Sequence, residues 1–193
     1  MTLRKSGLAV LVGLSVLAVD VVGAGADEAE LVAEARSRAS AFGADLQATL
    51  KSAIQAGGLT QGIEVCKSAA PALADQHSVE SWSIGRTALR VRNPGNAPDV
   101  WQTEQLKMMS AAPIQDGRPA SVWRTRDHEG QPMFEYMQAI PTGEVCLKCH
   151  GDNVSEGVQK TLTELYPDDQ ATGFGLGDLR GAFVIRYWPV ADQ

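Results

Sequence analysis

The chain has 193 residues with 17 basic and 23 acidic side chains, a net charge of −6. That balance argues against nucleic acid and anionic membrane surfaces as partners. Without an internal repeat or a low-complexity tract, the length fits one domain with a sizeable core.

The N-terminus reads as an export leader. Arg4 and Lys5 form a positive start, Gly7 to Val19 is almost wholly apolar, and Ala24-Gly25-Ala26 supplies the small residues a signal peptidase requires. Asp20 ends the apolar run after about 13 residues, short of the ~20 that span a bilayer as a helix. Cleavage before Asp27 is expected, with an uncleaved anchor as the alternative. The mature chain, 27–193, is then periplasmic, has no further membrane span and carries a net charge near −7.

From Leu31 through Ala35, Ala39, Phe42, Leu46 and Leu50 to Ala53, apolar residues recur at intervals of three and four, the mark of a helix ending at Gly57-Gly58. A helix from Asp27 to Ala56 would run about 45 Å, more than a small domain covers. Its apolar face lies either along its own domain or partly on a second copy, as a homodimer through 27–56. A second helix starting near Thr60 puts Ile63, Cys66, Ala70 and Leu73 on one buried face, and Pro71 is expected to kink or divide it. Residues 27–76 thus form a helical leader to the rest.

From residue 77 onward the character changes. Val79 to Ile84, Val122 to Arg126, Met133 to Ile140 and Ala182 to Trp188 read as antiparallel strands. Asn93 to Pro98 reads as an irregular loop leading into a helix over Asp99 to Met109, and a last helix is expected over Val154 to Leu165. Helices followed by strands with helices between them indicate an α+β fold.

The chemistry-bearing stretch is Cys146-Leu147-Lys148-Cys149-His150. This Cys-x-x-Cys-His order suits one covalently attached haem c: two thiols for the vinyl groups and a histidine for the iron. A structural zinc would need four ligands, and a dithiol needs no histidine after the second cysteine. Such attachment takes place outside the cytoplasm in bacteria, so motif and leader support each other. Arg86, Arg90 and Arg92 cluster in one segment and are candidates to meet the haem propionates, with Arg90 and Arg92 on one side of an extended chain. Arg180 is expected to pair with Asp178, and Gly173 to Gly177 to form a flexible turn.

Several blocks together resemble a known family. These are Ile63-Glu64-Val65-Cys66-Lys67, Ser83-Ile84-Gly85-Arg86-Thr87 with Arg90 to Pro94, Ala97 to Trp101, the haem motif with Gly151, Tyr166-Pro167-Asp168 with Ala171-Thr172-Gly173, and Gly177 to Ala182. They resemble the PAS-like c-type haem family, first catalogued as a domain of unknown function, over about Leu31 to Tyr187. The resemblance implies a PAS-like antiparallel sheet with flanking helices, one covalent haem, and Cys66 as the iron ligand opposite His150.

From the residues themselves the sixth ligand stays open among Cys66, Met133, Met137, His77 and an exchangeable position. Cys66 leads as the cysteine left over after attachment. Met108 and Met109 read as core, and His128 as part of an exposed turn. A thiolate favours ferric iron and a low potential, whereas methionine raises it. The expected function is therefore a redox or small-ligand sensor, working with a separate signalling protein or redox partner and open to a gaseous ligand. The alternative is a low-potential electron-transfer cytochrome. No distal acid–base pair suggests an enzyme.

Overall fold

The computed structural model describes residues 27–189; the expected leader, 1–26, lies outside them. Helix α1, Glu28–His77, is followed by β1 (Trp82–Thr87), a 3-10 turn (Pro94–Asn96), α2 (Val100–Ala111), β2 (Ile114–Gln115), β3 (Arg118–Pro119), β4 (Ser121–His128), β5 (Gln131–Pro141), α3 (Glu144–His150), α4 (Glu156–Leu165) and β6 (Leu179–Tyr187). Four strands form one antiparallel sheet in the order β1-β6-β5-β4, and β2 and β3 make a separate small hairpin. The expected α+β architecture is the observed one: a long N-terminal helix, an antiparallel sheet and flanking helices.

Helix α1 is in fact a helical hairpin. Inside it only Gly57 (φ −147°) and Gly58 (φ +78°) leave helical geometry, and Gly58 occupies the left-handed region that L side chains resist. Beyond this break the chain runs back along the first half. Gly62 lies against Ile54 and Leu50, while His77 reaches Asp45 at 2.8 Å and tilts against Phe42. Pro71 does not divide the second half. Its ring faces solvent, where the Lys67 carbonyl it leaves without a donor is open to water.

The first half lies on its own sheet. Val32, Ala35, Ala39 and Phe42 pack with Trp82, Ile84, Phe134, Tyr136, Phe183 and Ile185. The alanines and Gly43 bring the helix axis close, and Phe42 meets Phe183 edge-on with centroids 5.6 Å apart. Of the two readings of its apolar face, this stretch therefore follows the one that stays within the domain. On the opposite face of the sheet, Leu106 and Met109 of α2 pack on Met137, Ala139, Ala182 and Val184. Met109 and Met137 are thus core residues, as is the fully buried Met133, whereas Met108 is 61% exposed because it falls on the outer side of α2.

Two boundaries moved for local reasons. Ser78 closes α1 and donates its hydroxyl to Ala74 O while accepting from Ile84 N. The chain then turns through Glu80 at φ +55°, so β1 starts at Trp82 rather than Val79. The β2–β3 hairpin turns on Asp116-Gly117, and β4–β5 on Glu129-Gly130, all four residues at positive φ. His128 accordingly ends a strand, half-buried, rather than lying in the turn.

One buried carboxylate ties these layers together. Glu135 on β5 is 0% exposed and accepts from Arg124 (2.6 and 3.0 Å), Arg186 (3.0 Å) and Gln102 (3.1 Å). Gln102 also completes a capping box with Asp99 at the start of α2. Burial alone would raise the Glu135 pKa, but the hydrogen bond from Arg124 and the charge of Arg186 outweigh it and hold the group below its ordinary value.

Removing this anion leaves three half-buried arginines, Arg124, Arg126 and Arg186, around an uncompensated site. Glu135→Ala should cost roughly 3–5 kcal/mol in urea unfolding. Because the folded pKa lies below the unfolded one, the carboxylate's contribution is complete above the unfolded value and is lost as pH falls through the folded value. The stability gap between wild type and Glu135→Gln should therefore narrow on acidification; a gap that widens would contradict this account.

Candidate functional site

The segment leaving β5 is stitched to the one entering β6: Thr142 N donates to Asp178 O, and Gly177 N donates to Thr142 O. From there α3 carries Cys146, Cys149 and His150. Spacings of three and four residues place Cys149 and His150 on the side of the helix that bears Cys146. Sequence patterning gave no sign of this seven-residue helix, which is too short for a periodic signal.

His150 is fixed in a single tautomer. Its Nδ1 lies 2.6 Å from the Ala171 carbonyl oxygen, so that nitrogen carries the proton and Nε2 keeps its lone pair. The nearest donor to Nε2 is Arg92 Nη1 at 3.5 Å, too distant to hold it firmly. Burial, and then the charges of Arg180 and Arg92, push the His150 pKa well below its ordinary value, with the Ala171 hydrogen bond opposing them. The imidazole is therefore neutral near pH 7, the form that binds metal.

Two of the three expected propionate partners have structural duties. Arg92 donates through Nε to Asp169 (3.0 Å) and through Nη2 to Cys149 O (2.6 Å) and Ala171 O (3.3 Å), and its ion pair with Asp169 spans 2.9 Å. Arg90 donates through Nη1 to Thr172 O (2.7 Å) and Gly173 O (3.2 Å), its guanidinium 3.6 Å from the Phe174 ring centroid. The segment bends at Leu89-Arg90 and Arg92-Asn93 rather than running extended, yet both side chains reach the same neighbouring segment. What they reach is the 169–174 segment, which they clamp to the end of α3. Phe174 N donates to His150 O, and its ring meets the imidazole edge-on at 6.2 Å. The glycine-rich run turns at Leu176-Gly177 as expected, but it is anchored at Phe174, which is only 3% exposed.

The third cysteine arrives from the other end of the chain. Ile63 on the second half of α1 packs with Val158 and Leu162 of α4, and Cys149 joins the same cluster. One turn further on, Cys66 lies within charge range of Cys149, Arg86, Arg92 and Tyr166. Burial was expected for Cys66, and it is exposed. Gly62, Ile63 and Ala70 on its face are covered by protein, with α4 packed at Ile63 and its end met by Lys67. Although water reaches the thiol, surrounding protein still raises its pKa, with Arg86 and Arg92 pulling the other way. Burial likewise raises Cys149.

The competing ligand candidates lie elsewhere. His77 is engaged with Asp45, and Met133 and Met137 are sealed in the core. Among the described residues no three His, Cys, Asp or Glu side chains converge on one metal ion. The donor set instead fits a haem: two thiols on one helix side, an imidazole with its Nε2 lone pair available, and a further thiol on the second half of α1.

Arg180, which the sequence reading tied to Asp178, belongs to this site. Asp178 accepts from Gly175 N instead, and the Arg180 guanidinium lies 5.4 Å from the Phe174 centroid. Burial first, then the charges of Arg92 and Arg86, push its pKa down to about 10. Asp169, Ala171 and Phe174 also went unassigned to the site in sequence, since a backbone carbonyl and a ring under an arginine leave no pattern to read.

No curated protein matches the chain. Among solved structures, the one described as the cyanobacterial heme-protein Tll0287 matches 87% of this chain and 100% of its own, with a TM-score of 0.61 and 21% identity, a likeness of fold. A family model described as Tll0287-like matches residues 26–187, and the chain belongs to that Tll0287-like family.

Proposed function

We propose that this protein is an exported sensor module holding one haem c through Cys146 and Cys149, with His150 and Cys66 as axial ligands. The motif supports covalent attachment, and the protein with the similar fold is described as a heme-protein. A haem in this site would supply a one-electron couple and an iron centre able to take a small gas.

The observation that carries the sensor reading is the asymmetry of the two ligand positions. His150 is locked by Ala171 O, Phe174 and the Arg92 clamp, whereas Cys66 comes from the second half of α1, which meets the site through the packing of Ile63 on α4 and the charges of Arg86 and Arg92. One ligand is held by directed hydrogen bonds; the other reaches the site through packing and charge. Thiolate ligation by Cys66 would favour ferric iron and so a low potential. A low-potential electron carrier would share the ligand set but gains nothing from a displaceable thiol. We assign the protein no catalytic activity, and a signalling output would pass to a separate partner, as the PAS-like resemblance suggests.

Cys66→Ala should keep the covalent haem, turn the ferric EPR and absorption spectra from low-spin to high-spin, and raise the potential. The ferrous wild type should bind carbon monoxide while the ferric form binds none. An unchanged low-spin spectrum in the variant would remove Cys66 as a ligand, and a ferrous form indifferent to carbon monoxide would leave the electron-carrier reading.

A further inference from the structure

Strand β6 contains an irregularity directly beside the site. Ile140 pairs with Gly181, but the next residue of β5, Pro141, pairs with Leu179, so Arg180 is an extra residue, a β-bulge. Along the regular part of β6, Ala182 and Val184 face α2 while Phe183 and Ile185 face α1. Simple alternation would send Arg180 to the α2 side with Ala182 and Val184. The bulge gives that place to Leu179, which packs against the α2 cluster. Arg180 instead comes out over Phe174, whose ring touches His150. Gly181 makes the geometry possible, because a Cβ there would come within 2.5 Å of Thr87 O.

Across the sheet, Arg86 on β1 pairs with Phe183 and shares the face of Ile84 and Trp82. It stands within charge range of His150 and of Arg180. Arg92 is neutralised by Asp169, whereas among the described residues neither Arg86 nor Arg180 forms an ion pair. Two guanidiniums of like charge, each partly removed from water and within charge range of the other, call for negative charge to meet them.

We infer that the bulge at Arg180 exists to complete a dianion clamp, in which Arg180 and Arg86 hold the two propionate carboxylates of the haem. This rests on the haem reading above, and it makes Arg180 a binding residue rather than a loop pin. Charge-assisted bonds from guanidinium to carboxylate are the strong kind. Arg90 and Arg92 position the 169–174 segment and leave the carboxylates to this pair.

The test uses the holoprotein and a non-covalent form. In holoprotein, Arg180→Gln and Arg86→Gln should each lower the reduction potential, because removing a cation beside the haem favours ferric iron. Arg180→Lys should restore part of the shift, and Arg126→Gln on β4 should show none. In a Cys146→Ala, Cys149→Ala background, Arg180→Gln should weaken haemin binding at least tenfold yet leave binding of haemin dimethyl ester unchanged. If wild type is fully haem-loaded but Arg180→Gln keeps the wild-type potential and haemin affinity, the clamp is wrong and the haem reading stands. Equal weakening for haemin and its ester would likewise overturn the clamp, showing a packing role. A wild type without haem would sink the reading on which the clamp rests.

Discussion

The Arg92 guanidinium ties together three parts of the chain at the site: its own segment after β1, the end of α3 and the 169–171 loop. It neutralises Asp169, bonds the carbonyl of Cys149 and reaches that of Ala171. The carbonyl of Ala171 in turn receives the proton of His150 Nδ1. The orientation and tautomer of the imidazole thus depend on a loop that Arg92 braces together with Arg90 and the backbone bonds of Gln170, Gly173 and Phe174. A buried ion pair contributes little net stability when both partners could be replaced together, but loss of one partner is costly. Here its larger consequence is geometric, since a ligand histidine is only as well placed as the acceptor behind it.

The second constraint is the reversal at Gly57-Gly58. A helix that continued straight would carry Cys66 far beyond the sheet, with about 1.5 Å added per residue. Folding back, it sets Ile63 on α4 and brings Cys66 into the field of Arg86 and Arg92. The site is assembled from residues 66, 86, 92, 146–150, 166–174 and 180, all held by a sheet whose layers are pinned through Glu135. Among these described residues no helix is long and apolar enough to cross a membrane.

Much of this was legible in the sequence for identifiable reasons. Three-and-four spacing from Leu31 to Ala53, a double glycine and β-branched runs give periodic signals, and the α+β architecture followed from them. Cys146, Cys149 and His150 stand in a motif whose order carries its chemistry. Pro71 misled because propensity ignores which way the ring faces, and in α1 it faces water. The exposure of Cys66 could not be read from its helix face, since coverage depends on where α4 stops. Arg180 was least readable. Its direction is set by a bulge, which exists only in the pairing of β5 with β6, and a one-residue change of register reverses every side chain. The Asp116-Gly117 turn, by contrast, carries a known two-residue hairpin signal that was open to view.

The account stands or falls on covalent attachment at α3. Exported from a host that matures c-type haem, the purified chain should retain its haem through acid–acetone extraction, and its mass should equal the chain from Asp27 plus one haem. Cys146→Ala, Cys149→Ala protein should release its haem entirely to the organic layer. Complete extraction of haem from the wild type, or a mass fitting the chain with stoichiometric zinc in its place, would contradict it.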